Sequence, residues 1–106
     1  MARGIIHAPR TATRGQVIEV RALVGHAMET GHRAGGEGGT LPRDIVRRVE
    51  CRWGGELVFA ADLHPAVAAN PYLSFHVVAQ AGGAMTVRWL GDNGFDHSET
   101  VNIEVA

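Results

Sequence analysis

Alternating runs of apolar and polar residues, cut at short intervals by paired glycines, constrain this chain more than any other feature. From Val17 to Val24, Ile18, Val20, Ala22 and Val24 share one phase, and Glu19 and Arg21 take the other. That period of two is the period of a β-strand with one buried face. It returns from Ile45 to Trp53, where Val49, Cys51 and Trp53 alternate with Arg48, Glu50 and Arg52. It returns again in Tyr72 to Ala79 (Leu73, Phe75, Val77), Met85 to Leu90 (Met85, Val87, Trp89) and Phe95 to Val105 (Val101, Ile103, Val105). Ile5 to Ala8 and Glu56 to Ala61 add two more strands, and Pro9 to Gly15 is a turn-rich connection. Gly54-Gly55 supplies the positive φ angles of a two-residue hairpin, and Gly82-Gly83 and Gly91-Asp92-Asn93-Gly94 mark further turns. No segment keeps a helical period for three turns. About seven strands at this spacing predict an all-β fold, an immunoglobulin-like antiparallel β-sandwich. The 106 residues suffice for one domain, 1–106. Cys51 is the only cysteine, so the sandwich has no disulfide.

Two segments depart from the pattern. Gly25 to Asp44 is a loop of about twenty residues, a length that in a compact domain usually signals function or disorder. Gly35-Gly36-Glu37-Gly38-Gly39 reads as its flexible tip, while His26-Ala27-Met28-Glu29-Thr30-Gly31-His32 has more specific chemistry. The other segment is Asp62-Leu63-His64-Pro65-Ala66-Val67-Ala68-Ala69-Asn70-Pro71-Tyr72-Leu73-Ser74-Phe75. Its prolines donate no backbone hydrogen bond and push the preceding residues toward extended geometry. It is a stiff crossing between two strands, apolar where a loop is normally polar, and so either packs over the core or meets a partner.

Catalytic signals are weak. A formal charge of −1 argues against a polyanionic or anionic-membrane partner, and no apolar run spans a bilayer. Arg47, Arg48 and Arg52 are interleaved with Glu50 and lack the aromatic platform of a single-strand nucleic-acid binder. Six histidines and one cysteine invite a metal, but no close ligand pair fixes a geometry, and His7, His76 and His97 read as strand residues on solvated or half-buried faces. Cys51 falls in phase with Val49 and Trp53 and reads as a small core hydrophobe, not a nucleophile. Asp92 and Asp96 look like turn chemistry, and no phosphate loop, nucleophile elbow or dinucleotide fingerprint is present. Neither a cofactor nor a catalytic constellation is expected. The residues point to a recognition domain: two elaborate connections carried on a rigid scaffold.

The same two connections resemble the SoxZ family. The match is strongest over Asp62 to Phe75 and over His26-Ala27-Met28-Glu29-Thr30-Gly31, where Ala27 stands in place of the family's usual proline. Pro42-Arg43 and the closing Ile103-Glu104-Val105-Ala106 also fit. The resemblance implies an immunoglobulin-like, non-catalytic subunit that pairs with a SoxY-like chain. That partner carries thiosulfate-derived sulfur on a cysteine of a glycine-rich arm, and other thiosulfate-oxidation enzymes dock transiently on the heterodimer. It implies a periplasmic location reached with a signal-bearing partner, since Met1-Ala2-Arg3-Gly4-Ile5-Ile6 lacks the apolar core of a signal peptide. The isolated chain is expected to be capable of forming a homodimer. Candidate partner-binding residues are Met28, Glu29, His64, Pro65, Val67, Pro71, Tyr72 and Leu73, with Phe75 assigned to the core. The alternatives are a superoxide-reductase-like mononuclear iron protein on the same fold and a stand-alone interaction domain.

Overall fold

The computed structural model describes residues 4–25, 45–63 and 72–106. The loop of 26–44, with Met28, Glu29 and the glycine run, and the segment 64–71, with His64, Pro65, Val67 and Pro71, lie outside the described residues. Eight strands are described: β1 (Gly4–His7), β2 (Thr11–Ala12), β3 (Val17–Val24), β4 (Val46–Trp53), β5 (Glu56–Asp62), β6 (Tyr72–Val78), β7 (Gly83–Gly91) and β8 (Asp96–Val105). They form two sheets, β1-β3-β6 and β2-β8-β7-β4-β5. All pairings are antiparallel except the two-residue β2, which runs parallel to the end of β8. The architecture is the immunoglobulin-like β-sandwich that the alternation predicts, with β2 as an additional short strand inside the turn-rich connection.

The alternation decides what is buried. Ile18, Val20, Ala22 and Val24 of β3 point inward, as do Val49, Cys51 and Trp53 of β4, Phe75 and Val77 of β6, and Met85, Val87 and Trp89 of β7. Each burial removes apolar area from water at roughly 25 cal/mol per Å². The β4–β5 hairpin turns on Gly54 (φ 61°) and Gly55 (φ 84°), the left-handed pair a tight hairpin requires. A register shift between Val46 and Arg48 explains why Val46 and Val49, three apart, are both buried. The turn after β7 is a short 3-10 helix, Asp92–Gly94, with Asn93 at φ 58°.

The registers define two poles. At one, Val24 pairs with Gly4 and Leu23 with Tyr72. There too Asp62 pairs with Arg48, and Val46 with Gly91. Gly4 ties the two sheets together at this pole, because a Cβ on it would lie 2.7 Å from the Trp89 ring. The chain leaves the described region at Gly25 and Leu63 and re-enters at Ile45 and Tyr72, all at this first pole. The second pole holds Val17 opposite Val78, the Gly54–Gly55 hairpin, and Gly83 opposite Ile103.

Candidate partner-binding surface

The two connections that the sequence singles out join the scaffold at the same pole, on strand ends that are firmly held. Leu63 is buried, and its N–H donates to the Arg47 carbonyl at 2.8 Å. Asp62 accepts from Arg48 Nη1 at 3.0 Å. Ile45 N–H donates to Asp92 Oδ2 at 3.2 Å, while Asp92 N–H donates back to the Ile45 carbonyl at 3.0 Å. Gly91 allows this approach: a Cβ there would sit 2.5 Å from the Ile45 oxygen. Both connections therefore leave from a rigid rim.

Tyr72 and Leu73, the two candidate residues within the described region, face opposite ways, as neighbours on a strand must. Tyr72 stands on the outward face of the three-stranded sheet, 55% exposed. Leu73 points inward and packs against the core, beside Phe75, whose ring stacks on Phe59 at 4.0 Å. The direct surface contribution of this pair therefore comes from Tyr72.

That outward face carries more than the sequence motifs indicate. Following the registers, it runs from Ile5, Leu23 and Tyr72 at the first pole, through His7, Arg21 and Ser74 and then Glu19 and His76, to Val17 and Val78 at the second. Four of the six exposed large hydrophobics among the described residues, Ile5, Val17, Tyr72 and Val78, lie on it. Its polar band is internally bonded: Ser74 Oγ donates to Glu19 at 2.9 Å, and Arg21 Nε donates to Glu19 at 3.0 Å. Those bonds, Ser74's first, hold the Glu19 carboxyl below its ordinary value. Sequence phase could have grouped Val17 with Val78, but only the β3–β6 register shows that they are neighbours.

Cys51 is fully buried, and burial pushes its thiol up to about 11, so it is a protonated core side chain. Among the described residues no three His, Cys, Asp or Glu side chains gather as a metal-binding group. His97 is instead engaged with Glu99 at 2.6 Å and leans on Trp89. No helix among the described residues is long and apolar enough to cross a membrane. Arg47, Arg48 and Arg52 form a solvated, paired face: Arg48 bridges Glu50 and Asp62, Arg52 reaches Glu50, and Arg47 lies 3.9 Å from Asp92.

Several solved structures share this scaffold. A superoxide reductase (neelaredoxin) from Ignicoccus hospitalis superposes with a TM-score of 0.75 at 16% identity, covering 97% of this chain and 80% of that one. The sulfur carrier protein SoxY from Chlorobium limicola f thiosulfatophilum superposes with a TM-score of 0.66 at 14% identity, covering 97% and 78%. A CARDB domain from Pyrococcus furiosus gives 0.59 at 16% identity, covering 100% and 88%. At these identities the likeness concerns the fold alone. No curated protein matches the sequence. A family model does: that of the sulphur oxidation protein SoxZ, over residues 6–102. That span runs from β1 almost to the end of β8 and includes both connections at the first pole, so the chain belongs to the SoxZ family and is a subunit of Sox sulfur oxidation.

Proposed function

We propose that this chain is the non-catalytic half of a heterodimeric carrier for covalently bound sulfur intermediates in thiosulfate oxidation. It pairs with a cysteine-bearing SoxY-like chain, and other Sox enzymes dock transiently on the pair. The whole of 1–106 acts as one domain, with the loop of 25–44 and the 62–75 crossing presented from one pole. The observation that carries this reading is the outward face of the three-stranded sheet. It concentrates exposed apolar side chains around a polar band whose charges are already bonded. A permanent pairing buries on the order of 1,600 Å² or more; this face offers it two apolar ends, Ile5 with Tyr72 and Val17 with Val78, on either side of that band. The one thiol of the chain sits in the core and is held protonated, which supports assigning the sulfur-bearing cysteine to the partner. Tyr72, with Pro65, Val67 and Pro71, contributes apolar contact, and Met28, Glu29 and His64 are the recognition residues of the two connections. The pair works in the periplasm, exported through the signal of the partner.

The test is co-expression of this chain with the SoxY-like chain of the same genome, followed by native mass spectrometry and metal analysis. A one-to-one heterodimer without stoichiometric metal is expected. A chain that ignores the partner and carries one iron would replace this reading with the superoxide-reductase-like one.

A further inference from the structure

Among the described residues both sheets end in open strands, and all but one of these edges are protected against pairing. β1 is four residues long. β5 is interrupted by a register shift opposite Cys51 and Arg52 and is bounded by Glu56 and Asp62. β8 is flanked by β2 at Glu104 and Val105 and carries Asp96 and Glu99 on the remainder. Short length, bulges and charges are the usual ways an edge strand is kept from templating another chain. β6 has none of them. Tyr72–Val78 is seven residues without Pro, Gly, Asp, Glu, Lys or Arg, paired to β3 without a register shift.

The ladder shows which backbone groups of β6 are open. Ala79 N–H donates to Gln16 O at 2.8 Å, and Ala79 O accepts from Gly15 N–H at 2.7 Å, so Ala79 faces β3. By antiparallel alternation Val77, Phe75 and Leu73 also face β3, and Tyr72, Ser74, His76 and Val78 turn their N–H and C=O the other way. Among the described residues no strand pairs on that side, and no residue of β6 has a further bonded partner there.

Below this edge, toward the second pole, lies a cleft of about 540 Å³ between the two sheets. Its walls include Trp53, Leu57 and Val58 on one side and His76, Val77 and Val78 on the other, and Glu56 is its only formally charged lining residue. Leu57 and Val58 are the remaining two exposed large hydrophobics of the described residues. Trp53 is 7% exposed, and its Nε1 is the one buried side-chain nitrogen or oxygen among the described residues without a hydrogen-bond partner. A buried donor left unpaired costs stability.

We propose that the open edge of β6 and this cleft receive an extended segment of the SoxY-like partner. The segment pairs with Tyr72–Val78 and lies against the Trp53, Leu57 and Val58 wall of the cleft. This rests on the pairing reading above and deepens it to a surface. Only a peptide strand supplies donors and acceptors at the two-residue spacing the edge presents. The segment is uncharged and apolar on the side that meets Leu57 and Val58. A second copy of this chain is the competing occupant, and self-association of the isolated chain tests it.

The chain has only two tryptophans, Trp53 and Trp89, so ¹⁵N labelling gives two indole N–H signals. In the complex with the SoxY-like chain, the Trp53 indole signal is expected to shift as the cleft it lines is filled, while that of Trp89 stays in place. His76→Pro removes an N–H that points away from β3, a position where edge strands tolerate proline. It is expected to leave the isolated fold intact and to weaken the complex at least tenfold. Val58→Asp charges the cleft without touching the edge and is expected to weaken the complex likewise. A complex of wild-type affinity in both variants, with the Trp53 signal unmoved, would overturn the placement and leave the pairing standing. Failure of the wild-type chains to associate would overturn both. The same Trp53 shift produced by self-association of the isolated chain would assign the cleft to a second copy and overturn the partner assignment.

Discussion

On the outward face of the five-stranded sheet, Arg48, Glu50, Arg52, Asp62, Arg88 and Asp96 compensate one another in ion pairs. On the outward face of the three-stranded sheet, Ile5, Val17, Tyr72 and Val78 stand exposed around a single polar band. Both faces are built from strands of the same alternating pattern, and both cover the same core. They differ in what their outward residues bond to. The first face satisfies its charges on itself and with water. The second satisfies its charges on itself and leaves apolar surface over at both of its ends, more than a solvated surface needs. Placement in the fold follows: β6, the edge of the second face, is the strand that begins where the proline-stiffened crossing ends.

The sharpest way to break this comparison is to put one charge on each face. Tyr72→Asp is expected to lower the affinity for the SoxY-like chain by about 2 kcal/mol, roughly thirtyfold, as loss of an aromatic anchor does. Tyr72 is 55% exposed in the isolated chain, so the melting temperature of that chain is expected to change little. Thr100→Asp, on the five-stranded face opposite Thr86, is expected to leave partner affinity unchanged. Titrations by native mass spectrometry read both. Equal losses would erase the distinction between the faces.

A smaller effect concerns the charged face alone. Arg88 grips Asp96 through Nε and Nη2 at 2.8 and 2.6 Å, and this hydrogen bonding raises the Arg88 pKa and lowers that of Asp96. Both side chains are about half exposed, and exposed pairs contribute little and are screened by salt. Arg88→Ala is expected to lower the melting temperature by no more than a few degrees at low salt, with the difference shrinking in molar salt and partner affinity untouched. A large drop that persists in high salt would show that this face is structural in a way its exposure does not suggest.

How far the sequence discloses this molecule depends on whether the information is local. The span Val17–Val24 and the inward phase of Ile18, Val20, Ala22 and Val24 are legible residue by residue, because period two forces them. The Gly54–Gly55 hairpin is equally legible, since glycine takes the positive φ angles of such a turn at no steric cost. The burial of Cys51 follows from its phase with Val49 and Trp53. β2 is not legible, because its two residues become a strand only by meeting the end of β8 more than ninety positions away. Nor are the edges: which strand lacks a neighbour is set by sheet order, and sheet order is non-local. For the same reason the phase of Trp53 predicts its burial but not the missing acceptor at its Nε1. Of the candidate partner residues, Tyr72 and Leu73 can be placed, and the strand period separates them. The others fall in the two connections outside the described residues, where no period applies.

The polar band of the three-stranded face allows the finest test. Glu19 on β3 is held below its ordinary value of 4.5 first by the Ser74 hydroxyl on β6 and next by Arg21. A carboxylate with a lowered folded pKa adds stability above its unfolded pKa, and that contribution is lost as pH falls through the folded value. Ser74→Ala removes the largest cause, so the Glu19 pKa is expected to rise toward 4.5, and the acid loss of this contribution to begin at higher pH. Arg21→Ala is expected to raise it less. Carboxyl-carbon NMR titration of the isolated chain reads the order directly, and a Glu19 titration indifferent to Ser74 would refute it. The order matters for the comparison of faces. A carboxylate bonded across β3–β6 to a neutral hydroxyl, as well as to its arginine, keeps a partner for each oxygen when water is removed. Covering the band with another chain then leaves no orphaned charge, and the desolvation that would penalise binding on an ordinary charged surface is already offset within the sheet.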